Sequence, residues 1–328
     1  MSDLTNENVE LSLTKNAAFP AAKDSQSVQS IARLAPAVAH YISVATADNT
    51  RRAYQQDLRD FARWGGSVPA TPEVIAAYIA DRAETLSPHT LSRRIVGISR
   101  AHVSQGMVDP SKNDLVRTLL RGIRRTHGRP QRQVEPLLKQ DLLAILPLMT
   151  GTKGLRDRTL LLLGFAAALR RSELVALDVP DIEFVKEGLV LHQRRSKVDQ
   201  MGMGRKIGVP WGRTAACPVK AVHAWIEHAQ ISDGAMFRPI TKAGTIGSER
   251  LTAQSVALIV KEYARAAGLS ADAFSGHSLR AGLVTSAAQA GVAVHKIMAQ
   301  TGHRSVEMVN TYIRDASLFE HNAAGMVL

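Results

Sequence analysis

The stretch from Arg117 to Arg132 divides this chain. Its 16 residues hold six arginines (Arg117, Arg121, Arg124, Arg125, Arg129 and Arg132) and no acid, and it runs through Gly128-Arg129-Pro130. A like-charged run does not enter a core, and Gly and Pro together interrupt a helix. The run therefore reads as a boundary between two domains, and 328 residues are enough for two domains or one large one. Taken alone, the run is either a solvated face or a set of phosphate contacts at a domain boundary.

Upstream of it the periodicity is helical. Residues 1 to about 35 are rich in Ser, Asn, Asp, Gln and Lys without a sustained period, the composition of a disordered tail, and a short helix is expected near Val38 to Val44. From Asn49, Tyr54, Leu58 and Phe61 recur at helical spacing, Trp64 extends that side, and Gly65-Gly66 stops it. Thr71-Pro72-Glu73 and Ser87-Pro88 are helix starts, with a hydroxyl at the cap and Pro at the first position. Val74, Ile75, Tyr78 and Ile79 follow the first of these, and Leu91, Ile95 and Ile98 the second. A fourth helix is expected after Asp109-Pro110, carrying Leu115, Leu119 and Ile123. The expected organisation is a tail over 1–35, an all-α domain over 36–126, a basic linker over 127–136 and a second domain over 137–328.

The second domain reads as mainly helical with a small antiparallel sheet. Leu142, Ile145 and Leu146 mark one helix and Leu160 through Phe165 a buried one. Ile182–Val185 and Leu189–Leu191, split by Lys186-Glu187-Gly188, read as a β-hairpin, with a further strand at Lys206–Val209. Pro218 opens a helix through Ala221, Val222 and Trp225, and Thr252 caps another that ends at Gly268.

Charge narrows the partner. Forty-one Lys and Arg against 29 Asp and Glu leave a net charge of +12, which favours a polyanion, nucleic acid ahead of a membrane surface. The single cysteine, Cys217, excludes an internal disulfide and any CxxC metal site, and its Cys-Pro-Val context reads as packing at a helix start. No apolar run reaches the length of a membrane span and the N-terminus is polar, so a cytoplasmic protein with no membrane contact is expected.

Chemistry concentrates between Ser275 and Arg314. His277 and Arg280 stand three apart at a helix start, His303 lies in Gly302-His303-Arg304-Ser305 with Ser305 placed to cap the next helix, and Tyr312 follows Val306 and Val309 at the edge of that helix's apolar stripe. Singly these are a surface pair, a capping-turn histidine and a half-buried tyrosine. Together they suit a phosphodiester: cations for its oxygens, imidazoles for protons, and a hydroxyl that attacks once neighbours lower the cost of ionising a phenol with a pKa of about 10. No Cys or carboxylate stands at zinc-ligand spacing from His303, and no acidic cluster suggests a two-metal site, so no metal is expected. Gly202-Met203-Gly204 lacks the strand–loop–helix context of a phosphate loop and reads as a hairpin tip.

In order, Arg170 in Leu-Arg-Arg-Ser-Glu-Leu, Lys197 on a hairpin, His277-x-x-Arg280, Gly-His303-Arg and Tyr312 resemble the tyrosine recombinase (phage integrase) family. The resemblance spans nearly the whole chain after the tail, including Thr50, Tyr54, Phe61 and Trp64 of the family's helical core-binding domain, and is nearest to the Cre-like simple-site members. It implies a SAM-like core-binding domain and an α+β catalytic domain that close on double-stranded DNA, with the linker arginines near the hinge. It further implies strand cleavage through a 3′-phosphotyrosyl link on Tyr312, in which the energy of the phosphoester is kept and no nucleotide or other cofactor is needed. Arg170 and Arg280 would hold the non-bridging oxygens, Lys197 would protonate the leaving 5′-oxygen, His277 would assist the tyrosine, His303 would bond the phosphate, and Glu173 would support the arrangement. Arg171 adjoins Arg170, and the following Ser-Glu-Leu sets the register; Lys206 is a second lysine of the hairpin, but the family's lysine lies on its first side. A homotetramer on two synapsed sites is implied, with Ser317–Leu328 either docking on a neighbouring subunit or packing on its own. Two other outcomes stay open on the sequence: a type IB topoisomerase-like enzyme relaxing one duplex, and a DNA-binding protein without catalysis.

Overall fold

Helix ends order the N-terminal part of the protein. The computed structural model describes residues 36–38, 40, 41, 45–129, 134–194 and 204–316. The expected tail, most of the short helix near Val38–Val44, Arg132, Lys197 and Ser317–Leu328 lie outside these residues. The chain divides into two units, Met1–Gln131 and Arg132–Leu328.

The first unit holds α1 (Asp48–Trp64), α2 (Pro72–Asp81), α3 (Pro88–Ser104) and α4 (Asp114–His127). Gly65 ends α1 in the left-handed region at φ 109°, its N–H turned back to the carbonyls of Phe61 and Ala62. Phe61, Ile75, Tyr78, Ile79, Leu91, Ile98, Val116 and Ile123 form the core. Asp57 and Asp60 of α1 pair with Arg93 and Arg94 of α3, and the Tyr78 hydroxyl donates to Asp60 at 2.9 Å.

The fourth helix differs from its expected course. Asp109 accepts from Ser111 N at 3.0 Å and starts only a single 3-10 turn, Pro110–Lys112. Asn113 then accepts from Leu115 N at 2.9 Å and starts α4. Ile123 is buried and Leu119 packs against the core as expected, but Val116 takes the buried place expected of Leu115, which is 45% exposed. Val74 is likewise turned outward from the α2 stripe. Arg117, Arg121, Arg124 and Arg125 stand exposed on α4 and Arg129 is exposed beyond it, while Arg124 also donates to Ser92 Oγ at 3.0 Å.

The second unit is built around α6. Its elements are α5 (Lys139–Ile145), α6 (Gly151–Ala166), α7 (Arg171–Ala176), β1 (Ile182–Val185), β2 (Gly188–Gln193), β3 (Arg205–Pro210), α8 (Pro218–Ala229), α9 (Ala253–Ala266), α10 (Ser278–Gln289), α11 (Val294–Thr301) and α12 (Val306–Ala316). Leu160 to Leu163 are buried along α6, which packs on α8 and α10 with Trp225 and Phe237 in the same core. Each such side chain contributes roughly 1.5–3 kcal/mol of transfer free energy. The antiparallel sheet runs β1-β2-β3, with Ile182 opposite Leu191 and Leu191 opposite Ile207. Cys217 precedes α8, is 1% exposed, and accepts from Gly212 N at 3.1 Å. Among the described residues no helix is long and apolar enough to cross a membrane.

One close approach fixes the helix that carries Arg280. Leu137 N donates to Ser278 O at 2.9 Å, and a Cβ at Gly282 would stand 1.8 Å from Leu137 O. Only glycine lets α10 lie directly on that backbone.

Candidate active site

Where α6 ends, Ala168 adopts φ 51° and turns the chain so that Arg170 falls just ahead of α7 with extended backbone. Glu173, in the first turn of α7, reaches back: its carboxylate accepts from Arg170 N at 2.9 Å and from Arg170 Nη1 at 2.7 Å. The carboxylate is nearly buried while the Arg170 side chain keeps 21% exposure, so the guanidinium is held from behind and open in front. Arg171 is exposed and lies against Gly276, where a Cβ would meet its own Cβ at 3.1 Å. Arg170, Arg171, Ser172, Ser275, Gly276 and His277 line a cleft of about 350 Å³.

The start of α10 supplies the next two groups. Ser275 N donates to Ser278 Oγ at 2.9 Å and His277 N to Ser275 Oγ at 3.1 Å, so two serines shape the turn at His277. His277 and Arg280 then differ in depth. Arg280 is 1% exposed, and its Nη1 donates to Ala168 O at 2.8 Å and Thr301 O at 2.6 Å. Its Nη2 is buried and, among the described residues, has no hydrogen-bond partner. His277 stays at the rim, with Nε2 2.8 Å from the Tyr312 hydroxyl.

Thr301 and Gly302 end α11 and deliver His303. Gly302 takes φ 68°, and His303 Nδ1 lies 2.7 Å from Thr301 Oγ1, both side chains being buried. Ser305 Oγ accepts from Met308 N at 3.4 Å at the start of α12. Tyr312, on α12, packs against the small cluster of Val284, Ile297 and Val309, and its ring centroid lies 6.3 Å from those of both His277 and His303.

The electrostatics are those of uncompensated cations. Burial, and then Arg170, lower the Arg280 pKa to about 10. Burial lowers His303 to about 4, reinforced by Arg280, Arg170, His277 and Arg205. Desolvation among its neighbours, then Arg280 and Arg170, lower His277 although it stays at the surface. Burial raises Tyr312, and Arg280 and Arg170 pull against that rise. Both imidazoles are therefore neutral at pH 7 and the phenol keeps its proton. The groups can hold an anion between guanidinium forks and place a hydroxyl, with an imidazole to take its proton, beside it.

This arrangement assembles Arg170, Glu173, His277, Arg280, His303 and Tyr312 from four separate segments of one unit. The family match covers residues 135–318, the same unit, with the description "Phage integrase family". The chain belongs to that family. A curated relative, "Integrase/recombinase xerD homolog" of Selenomonas ruminantium, is 42% identical over 288 residues, covering 84% of each chain. "Recombinase cre" of Escherichia phage P1 is 26% identical over 268 residues, covering 75% of this chain and 77% of its own. Among solved structures, XerH site-specific recombinase bound to palindromic difH substrate aligns with a TM-score of 0.64 at 15% identity, over 97% of this chain and 94% of that one. A lambda integrase dimer bound to a COC' core site aligns with a TM-score of 0.60 at 16% identity, over 96% and 87%. At such identities the likeness is one of fold.

In this phage integrase family member several groups around the site escaped sequence reasoning. Arg205 approaches the His303 turn from β3, Gln300 Nε2 donates to Ala166 O at 2.9 Å and Gly208 O at 3.1 Å, and Thr301 faces His303. Arg205 stands in the same phase as buried Ile207 and Val209 along β3, and an arginine in the buried phase of a strand was the available signal. Lys206 is exposed in the opposite phase.

Proposed function

We propose that this protein is a site-specific DNA recombinase that cleaves and rejoins double-stranded DNA through Tyr312. The observation that carries this is the 2.8 Å contact between the Tyr312 hydroxyl and His277 Nε2 beside two guanidinium groups, Arg170 and Arg280. The scissile phosphate sits between those guanidiniums, and Arg280 Nη2, otherwise unpartnered, donates to a non-bridging oxygen. The phenol passes its proton to neutral His277 as its oxygen bonds to phosphorus. The bond from phosphorus to the 5′-oxygen breaks, that oxygen takes a proton from a general acid, and a 3′-phosphotyrosyl link remains. The family resemblance gives Lys197 the acid's role. Rejoining reverses each transfer, with the new 5′-hydroxyl as nucleophile, so the phosphoester is conserved and no nucleotide is consumed. Guanidiniums fixed before the reaction stabilise the charge that develops on the phosphorane oxygens.

Glu173 keeps Arg170 aimed by its two bonds. His303, neutral when no DNA is bound, gains affinity for a proton once a phosphate charge is close, and then donates to it. The exposed arginines of α4 and Arg129, with Arg132, contact DNA backbone, which sets affinity without reading sequence. The relatives bound to DNA support this partner. Exchange of strands between two duplexes calls for four active sites, hence a homotetramer on two synapsed sites, with Ser317–Leu328 exchanged between subunits; a cytoplasmic location accords with work on DNA.

A nicked suicide DNA carrying the target, selected from random duplexes by binding, tests the chemistry. The wild type is expected to form an adduct resistant to SDS, and Tyr312→Phe none. Absence of adduct with the wild type would refute the enzymatic reading, and persistence in Tyr312→Phe would refute the nucleophile. A plasmid with two target sites then separates recombination from relaxation of a single duplex.

A further inference from the structure

We propose that Arg205 is a positioning residue of this site: it braces the Gly302-His303 turn and adds a third guanidinium to the field around the phosphate. The inference rests on the recombinase reading above. Arg205 and Gln193 are paired residues of β3 and β2, and Arg205 Nε donates to Gln193 Oε1 at 2.8 Å, which fixes the direction of the fork. Its Nη1 lies 3.4 Å from both Ala299 O and Gln300 O in the last turn of α11. Terminal carbonyls of a helix lack partners within it and carry the negative end of its dipole, so a cation is favoured there.

The turn beyond is shaped around this side chain. A Cβ on Gly302 would stand 2.6 Å from Arg205 Nη1 and 2.9 Å from Cζ. The guanidinium thus lies against the residue that precedes His303, and glycine both takes the left-handed φ and leaves room for it. Lysine in its place has one point charge on a flexible stem and cannot hold Gln193 and two carbonyls from one planar group.

Charge adds a second argument. Arg205 is half-buried, and among the described residues the carboxylate whose charge acts on it, Glu173, is already bonded to Arg170. A desolvated guanidinium without its own counter-ion is costly in the empty site. That cost falls when an anion enters next to Arg170 and Arg280. Burial lowers the Arg205 pKa, in keeping with this account.

Two measurements on Arg205→Met and Arg205→Lys test the proposal. The first is the rate of adduct formation at saturating nicked DNA, with binding affinity and melting temperature recorded for each variant. Arg205→Met is expected to fall about 100-fold in rate, the order of one lost charge-stabilising group, with affinity within threefold of the wild type. Arg205→Lys is expected to recover about tenfold of that loss. Rates within threefold of the wild type for Arg205→Met would overturn the proposal, as would equal losses in both variants tracking their melting temperatures. The second measurement needs no DNA: NMR titration of the His303 imidazole. Arg205→Met should displace its resonances and raise its pKa, since a neighbouring cation is removed. An unmoved His303 in both variants would overturn the proposal even if no adduct were ever seen. A wild type that forms no adduct while His303 responds to Arg205 would instead place the fault in the recombinase reading.

Discussion

The second unit buries two polar clusters, and they are opposite in kind. Around Asp157 on α6, Arg156 Nη2 and Lys153 Nζ approach the carboxylate at 2.6 and 3.0 Å, and the Tyr263 hydroxyl donates to it at 3.2 Å. Lys153 also meets Glu262 at 2.8 Å, so two cations face two carboxylates. Around Arg280, among the described residues, the guanidiniums of Arg170, Arg205 and Arg280 and the imidazoles of His277 and His303 share the carboxylate of Glu173. The pKa shifts separate the two clusters: the bonds to Glu262 and Asp157 hold Lys153 far above its ordinary value against the pull of desolvation, while Arg280 is lowered to about 10. A closed cluster has nothing left to bind and belongs to the architecture. An open one, with Arg280 Nη2 unpartnered, is completed by an anion.

The comparison breaks first at Arg280. Arg280→Met should reduce adduct formation by about 10³- to 10⁵-fold, as for other guanidiniums that stabilise a phosphoryl transition state. Urea denaturation should find its stability little changed, since a desolvated cation leaves with the fork. Stability lost in proportion to activity would make Arg280 architectural. Asp157→Asn should do the converse. It leaves Lys153 and buried Arg156 without their shared carboxylate, a change worth about 3–5 kcal/mol of stability, while cleavage per folded molecule at low temperature stays within threefold. A selective loss of cleavage would contradict the division.

Acid sharpens the same contrast. His303 titrates near 4 in the folded protein against an ordinary value near 6.5, so the unfolded chain binds the extra proton. Stability from this group is complete above pH 6.5 and is lost as the pH falls to about 4, by about 3 kcal/mol. Denaturation at several pH values should find the slope flattened in His303→Asn, and equal slopes in both proteins would disprove it. The smallest effect belongs to α4. Arg121→Ala should weaken DNA binding evenly across sequences and lower the slope of log affinity against log salt by about 1, with cleavage at saturation intact. An unchanged slope removes Arg121 from the DNA contact surface.

The sequence disclosed groups whose spacing is local and missed those whose role is made by packing. His277 and Arg280, or Gly302 and His303, are legible because a helix start or a left-handed turn fixes their neighbours along the chain. The helices fared likewise: Pro72, Pro88 and Pro218 each stand where a helix opens, and β1 has its expected bounds while β2 and β3 run a residue or more beyond theirs at each end. Leu115 failed because Asn113, and not Asp109, caps α4, and the choice between two nearby caps turns on tertiary contacts. Arg205 was one arginine in a chain with 41 Lys and Arg. Asp157 and Tyr263 meet across 106 residues, a separation no periodicity reports.

The bond from Arg280 to Ala168 spans 112 residues, and that from Gln300 to Ala166 spans 134. Contacts so distant in sequence form only when the intervening loops close. Tyr312 follows every other member of the site along the chain. On the proposed reading, synthesis therefore delivers the phosphate-holding groups first and the attacking hydroxyl last, so a polypeptide stopped short of α12 would lack the group proposed to cut DNA.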